Sequence, residues 1–317
     1  MRGINAVGRC ASLLFGLLVW SSVATAAIIT VDEKQPFIDL SGDLEYLEDP
    51  NRTLTFDRAM AAIGWQSAAG KSPSLGLTTS AYWFRITLDN TRGTGSIDRI
   101  LELSYRDIDD LQVWLSDSPA GPTFHTGNRH PTSTRAIHSR LFAFPLELQR
   151  GETRTIVLRM TSADALIVPL HLWIPQAFVS KEHDLLTVQG IFYGILLVML
   201  FYNGFLFVSI GERTYLLYCG YIFGTLFVQM IMDGTAHLYL YPPDDPIFGE
   251  RYAVTRITLG FLLMCLTLFT RDFLHLPQLR PTLGKALSTL AGLGVAIMVV
   301  TPWFDYVDVY FTILVIC

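Results

Sequence analysis

Cysteine is missing from the segment of the chain that carries most of its polar residues. The 317 residues include four cysteines, Cys10, Cys219, Cys265 and Cys317, and none lies between residues 27 and 178. Disulfides are therefore excluded for this segment, which must be stabilised by its own hydrophobic core. About 150 residues are enough to build one such core.

Charge is scarce as well. Charged residues form 16% of the chain against 51% hydrophobic residues, and the formal net charge is -5. A chain without excess positive charge is a poor partner for nucleic acid, and one this apolar is typical of membrane proteins. The spacings G-x-S-x-G, H-E-x-x-H and the P-loop are also absent from the sequence. We therefore predict neither an enzyme nor a bound cofactor.

The N-terminus has the pattern of a secretory signal peptide. Arg2 and Arg9 precede the apolar run 11–20, and small residues follow up to Ala26. This order predicts a signal peptide over residues 1–26, cleaved after Ala26. The alternative is an uncleaved first membrane helix, although the apolar run is short for one.

Residues 27–178 are predicted to form one exported antiparallel β-sandwich. Apolar and polar residues alternate in six segments, which is typical of strands with one buried face, and turn-forming residues separate them. The predicted buried positions are Tyr82, Phe84, Ile86 and Leu88; Leu101, Leu103 and Tyr105; Leu111, Val113 and Leu115; Phe142, Phe144, Leu146 and Leu148; Ile156, Leu158 and Met160; and Val168, Leu170, Leu172 and Ile174.

Three tryptophans lie on the polar sides of these strands. Exposed aromatic rings of this kind are typical of surfaces that stack on sugars, and nearby polar side chains would orient the ligand. The predicted ligand-binding residues are Trp83, Arg85, Gln112, Trp114, His171 and Trp173. Two alternatives remain open: residues 27–66 could cover the rings, or Trp173 could anchor the chain at the lipid interface.

Two further polar groups have weaker signals. The segment 105–110 places three carboxylates near Arg106, which would suit a cation or a ligand amine, although a solvated turn is the more usual reading. His125, His130 and His138 lack the spacing of metal ligands. We therefore predict a loose loop for these histidines, and no metal site.

Residues 185–317 are predicted to form a membrane block. Four apolar segments are long enough to cross a bilayer and a fifth begins before the last residue, over 185–210, 214–232, 251–270, 287–300 and 306–317. A polar stretch at 179–184 precedes them. We predict that it is a linker that couples the exported domain to the first helix.

The distribution of charge predicts the orientation of this block. Positive charges collect in the loops after the first and third helices, at Arg213, Arg271, Arg280 and Lys285. Acidic residues collect in the other loops, at Asp233, Asp244, Asp245, Asp305 and Asp308. Because positive loops stay in the cytoplasm, this pattern predicts that the N-terminal domain lies on the opposite side of the membrane.

Small and polar residues inside the apolar segments indicate how the helices meet. Gly190, Gly194, Gly220 and Gly224 are predicted packing positions, because glycine lets two backbones approach closely. Asn203 is predicted to form hydrogen bonds between helices, with a ligand or ion role as the alternative. A transporter is the weakest interpretation, since paired ionisable groups are missing from most of the segments.

The order of several short segments resembles one bacterial receptor family. The segments are 81–90 (AYWFRITLDN), 142–146 (FAFPL), 172–178 (LWIPQAF), 200–207 (LFYNGFLF) and 269–274 (FTRDFL). Together they resemble the bacterial seven-transmembrane receptors with diverse intracellular signalling modules.

That resemblance implies a jelly-roll-like periplasmic domain suspected of binding carbohydrate, a seven-helix receptor block and a cytoplasmic signalling domain. A diguanylate cyclase or a histidine kinase would be the expected output. The sequence contains no such motif, so the chain is expected to be truncated within the fifth helix. The predicted function is ligand sensing and transmembrane signalling. The lipid bilayer is a predicted partner, and this function is compatible with a homodimeric receptor. A passive glycan-binding or membrane-anchoring module is the alternative.

Overall fold

The structure, a computed structural model, describes residues 28–115, 121–240 and 251–301. Within them an all-β domain is followed by long apolar helices, and this predicted fold class is confirmed. The predicted signal peptide, the acidic outer loop at 241–250 and the predicted fifth helix lie outside the described residues.

The β domain contains thirteen strands, one short α-helix and two 3-10 helices among the described residues. The strands are β1 Ile28–Thr30, β2 Phe37–Asp39, β3 Glu45–Asp49, β4 Gln66–Ser67, β5 Ser74–Gly76, β6 Ala81–Asp89, β7 Ile97–Leu103, β8 Asp110–Trp114, β9 Phe124–Thr126, β10 Phe142–Leu148, β11 Thr153–Thr161, β12 Leu166–Ile167 and β13 Leu170–Trp173; α1 is Phe56–Ala61. Six of these strands, β6, β7, β8, β10, β11 and β13, match the six predicted segments.

Two sheets enclose the main core. The larger sheet has the order β4-β3-β6-β11-β8-β9, with β1 added in parallel to β6, and the smaller sheet has the order β10-β7-β13-β2. Phe84 and Leu158 of the larger sheet and Leu101 and Phe144 of the smaller one belong to the same buried cluster. The apolar sides of the alternating segments therefore face each other, which makes the domain a sandwich. Its jelly-roll character stays a prediction.

The helical half contains α2 Pro175–Ile210, α3 Arg213–Met232, α4 Thr235–Tyr239, α5 Arg251–Phe273, α6 Leu276–Leu279 and α7 Pro281–Val300. Four of these, α2, α3, α5 and α7, are long and apolar enough to cross a membrane. Arg213 Nε lies 3.9 Å from Asp272 Oδ2, so the loops predicted to be cytoplasmic do share one side of the block.

The predicted coupling linker at 179–184 forms helical turns of α2, and its coupling role stays a prediction. The helix begins at Pro175, whose missing N–H costs nothing at a first helical position. At about 1.5 Å per residue α2 is about 54 Å long, against about 30 Å of hydrocarbon. Its first turns therefore project from the membrane and reach the β domain.

The predicted packing glycines behave differently from one another. A Cβ added to Gly220 would lie 2.8 Å from Cys265 Sγ, and one on Gly224 would lie 3.1 Å from Leu262 Cδ1, so both face α5. Added Cβ atoms on Gly190 and Gly194 would meet nothing within 4 Å among the described residues.

Asn203 also departs from its predicted role. Its Nδ2 donates a hydrogen bond to the Met199 carbonyl oxygen, 2.8 Å away in the same helix. This side-chain N–H is therefore hydrogen-bonded within α2 and needs no acceptor on a neighbouring helix.

A close contact between α5 and α7 involves two glycines that the sequence analysis does not single out. A Cβ on Gly260 of α5 would lie 2.7 Å from the Gly294 carbonyl oxygen of α7, and a Cβ on Gly294 would lie 2.6 Å from the Gly260 carbonyl oxygen. These distances leave no room for a methyl group between the two backbones. Because the contact is reciprocal, each glycine is required by the other.

Gly260→Ala and Gly294→Ala are expected to force α5 and α7 apart, at a cost of about 1–3 kcal/mol each. Thermal unfolding of the helical half in detergent would measure the loss. Gly292→Ala is the matched control, since its Cβ would meet nothing within 4 Å. Equal unfolding temperatures for all three variants would contradict the contact.

Candidate signal-transfer site

The aromatic surface predicted on the larger sheet is buried. Trp83 and Trp114 are only 1% and 4% exposed, and their ring centroids lie 5.3 Å apart in a stacked pair. Phe56 of α1 lies against Trp114 at 5.3 Å, and Trp65 joins the same cluster. The prediction of exposed rings is therefore wrong for Trp83 and Trp114. The alternative, a cover formed from residues 27–66, is right, because that segment supplies a second apolar layer.

The polar companions of these rings already have partners within the protein. Arg85 Nε donates to Glu45 Oε2 at 2.6 Å, and its guanidinium lies 4.3 Å from the centre of the Trp65 ring. Gln112 Nε2 donates to Asp110 Oδ2 at 3.2 Å. Arg85 therefore links the cover to the sheet, whereas Gln112 pairs within β8.

The histidines that we predicted in a loose loop are ordered, and two of them share one acidic partner. His125 Nε2 and His130 Nε2 each lie 2.7 Å from Asp110 Oδ1. Burial raises the pKa of Asp110, but the hydrogen bonds from His130 and His125 outweigh it and hold this pKa below its usual value. His138 lies apart from them, with its ring 6.0 Å from the Tyr239 ring.

On the outer face of the smaller sheet, Glu102 of β7 is a carboxylate with no exposed surface. Trp173 Nε1 of β13 donates to Glu102 Oε2 at 2.6 Å. Lys181 Nζ of α2 forms an ion pair with the other oxygen, Oε1, and lies 5.3 Å from the Trp173 ring. Trp173 therefore links β13 to the first membrane helix. Its indole contacts Glu102 of the sheet and Lys181 of the helix.

Apolar packing surrounds this ion pair. Phe178, one turn before Lys181 on α2, is 4% exposed and packs with Ile100 and Ala143 of the two neighbouring strands. Trp173 is partly buried against the same cluster. A buried aromatic ring and a charge pair on consecutive turns fix the start of α2 on the sheet.

A second contact joins the β domain to the outer ends of the membrane helices. Arg140 Nη1 donates to Gln189 Oε1 at 2.7 Å, and Gln189 Nε2 donates to Asp233 Oδ2 at 3.0 Å. Arg106 Nη1 donates to the Ile231 carbonyl oxygen at 2.5 Å. Arg106 belongs to the segment that we interpreted as a solvated turn or a cation site, and this side chain docks on α3.

Two family profiles match the two halves that meet at these contacts. Residues 41–174 match the profile described as 7TMR-DISM extracellular 2, and residues 185–317 match the one described as 7TM diverse intracellular signalling. The chain belongs to the 7TMR-DISM receptors. No curated protein matches it. In this 7TMR-DISM chain, Lys181 and Phe178 lie between the two matched regions, where the domains join.

As a 7TMR-DISM receptor, the chain is a membrane protein whose N-terminal domain lies outside. The structure agrees, since Asp233, predicted on the outer side, lies at the end of the bundle that contacts the β domain. Asp233 and the β domain therefore lie at the same end of the helices, as predicted.

Trp83→Ala is expected to destabilise the β domain by about 3–5 kcal/mol, because it empties the centre of the second apolar layer. Urea denaturation followed by proteolysis would measure the change. Ile63→Ala is the control, since this side chain of the same cover segment is fully exposed. A stable Trp83→Ala variant would show that the layer does not support the fold.

Glu102→Gln and Lys181→Gln should each weaken the attachment of α2 by about 3–5 kcal/mol, because each leaves a buried or half-buried partner unpaired. The double variant should lose less than the sum. Hydrogen exchange of the amides at 179–184 would report both effects. Arg154→Gln, which breaks a partly buried pair with Glu152 in the β domain, is the control. Additive losses would argue against a coupled pair.

Proposed function

We propose that this receptor senses a ligand in the bacterial periplasm and transmits the binding event across the inner membrane through α2. The observation that carries the proposal is the ion pair between Glu102 and Lys181. Lys181 stands on a helix that runs without interruption into the membrane span, and Glu102 lies on a central strand of the sensor domain. A shift of that strand therefore moves the helix.

The attachment has the properties of a two-state element. Breaking a buried ion pair costs about 3–5 kcal/mol, so the helix is either seated on Glu102 or displaced from it. The second contact, from Arg140 through Gln189 to Asp233, links the same helix to α3. A ligand that prefers one arrangement of β7 and β13 would shift the population of both helices together.

We propose a carbohydrate as the ligand class, bound on the outer face of the smaller sheet. Phe37, His171 and Trp173 are partly exposed there, with the Phe37 ring 4.5 Å from the Trp173 ring and 5.1 Å from the His171 ring. His171 Nδ1 shares a hydrogen bond with Ser104 Oγ at 2.8 Å, which orients its ring. A sugar stacked on Phe37 would touch the side chain that holds Glu102.

The signal requires a receiver on the cytoplasmic side. We propose an output domain of the diguanylate cyclase or histidine kinase type, coupled to the inner ends of the membrane helices. The family description, with its diverse intracellular signalling, supports a separate output of this kind.

A glycan panel titrated into the detergent-solubilised chain would test the proposal. We expect a bound glycan to change hydrogen exchange at 179–184, and Phe37→Ala to weaken binding about tenfold by removing the stacking ring. Ile28→Ala is the control, an exposed apolar side chain on the other sheet.

The outcomes separate the candidate functions. Glycan binding that leaves α2 unchanged would support a passive module, and the transducer proposal would be dropped. An absence of glycan binding would remove carbohydrate as the ligand class.

A further inference from the structure

Asp110, His125 and His130 form a cluster that the sensing proposal does not use. Their potential ligand atoms all lie within 4.8 Å of one another. His125 Nε2 and His130 Nε2 approach the same oxygen of Asp110, and the two ring centroids are 4.4 Å apart. We propose that this cluster binds a divalent transition-metal ion in the exported domain, with Zn²⁺ as the best match.

The backbone holds the three side chains in place. Gln112 of β8 pairs with His125 of β9, which places the imidazole on the same face of the sheet as Asp110, two residues before Gln112. The chain then returns to the start of β8, where Asn128 N donates to the Ile108 carbonyl at 2.8 Å and Arg129 N donates to the Asp109 carbonyl at 3.1 Å. His130 therefore lies against Asp110 because of main-chain hydrogen bonds.

Gly127 makes this return possible. Its φ is +147°, and a Cβ at this position would collide with the Asp109 carbonyl. Only glycine combines this conformation with so close an approach. The turn is thus built to bring the second histidine to the carboxylate.

The donor set selects the class of ion. Two imidazole nitrogens and one carboxylate oxygen suit Zn²⁺ and its neighbours in the transition series, whereas Ca²⁺ and Mg²⁺ prefer oxygen ligands. Ligand atoms about 2.1 Å from a tetrahedral ion lie about 3.4 Å apart. An ion could therefore enter between the three groups after each nitrogen moves by less than about 1 Å from Asp110 Oδ1.

The surroundings orient the carboxylate and leave a path to water. Asp110 Oδ2 accepts a hydrogen bond from Gln112 at 3.2 Å and lies 3.6 Å from Arg159 Nη1, so Oδ1 is the oxygen that faces the histidines. The His125 side chain is 45% exposed. Water can complete the coordination from that side, as in zinc sites with three protein ligands.

An ion here would tie β8 and β9 to the turn that carries His130. The Arg159 guanidinium lies 5.8 Å from the Trp83 ring and also faces Asp110. Metal binding would therefore stabilise the edge of the larger sheet, since an ion that binds only the folded state raises its stability. This role is independent of the ligand surface on the smaller sheet.

The test uses the full chain in detergent, stripped of metal and titrated with ZnCl₂ at pH 7.5 by calorimetry, with Co²⁺ absorption as a second readout. We expect one ion per chain, and a loss of at least tenfold in affinity in His125→Ala, His130→Ala and Asp110→Asn. Binding should also raise the unfolding temperature of the exported domain in the wild type and not in these variants.

His138→Ala is the matched control, because His138 is an exposed histidine of the same loop region outside the cluster. Circular dichroism of the metal-stripped proteins would show that each variant is folded, and His125→Gln replaces His125→Ala if the alanine variant is not. Binding that is absent in the wild type, or that survives His125→Ala with His130→Ala, would overturn the proposal. The proposal would also be overturned if His125 and His130 take up protons but bind no metal ion.

Discussion

The joining of the two halves of the receptor depends on one buried carboxylate. Glu102 has no exposed surface, so its charge must be balanced by partners within the protein. Trp173 from the sheet and Lys181 from α2 supply them, and Phe178 closes the surrounding surface with apolar packing. Removing the helix would deprive this carboxylate of its cationic partner and leave Trp173 as its neutral donor. The domain and the first membrane helix therefore stabilise each other.

This constraint also explains why α2 is much longer than a membrane span. The helix must reach about two turns beyond the bilayer to place Lys181 on the sheet. Lys181 and Glu182 would be a liability inside lipid, but at the domain surface they meet Glu102, Ser139 and Arg140. The polar stretch therefore contacts the β domain and also passes a displacement of that domain to the membrane span. A continuous helix cannot absorb such a displacement as an irregular linker would.

The larger sheet follows a different principle, with a second apolar layer on its outer side. Trp83 and Trp114 stack beneath Phe56 and Trp65, so the sheet is buried on both faces at this point. Beyond the covered area the same face becomes polar at Arg159, Asp110 and His125. The cover itself is formed by one folded segment between β3 and β4.

The sequence alone determined the class of each half. Alternation with period two in β6, β10 and β11 and apolar runs of membrane length are local signals, because each strand or helix satisfies its pattern by itself. Contacts between distant residues were decided only by the tertiary structure. Glu102 meets Lys181 across 79 positions, and Gly260 meets Gly294 between two helices. Such pairs leave no local pattern, since neither residue reveals its partner until the strands and helices pack.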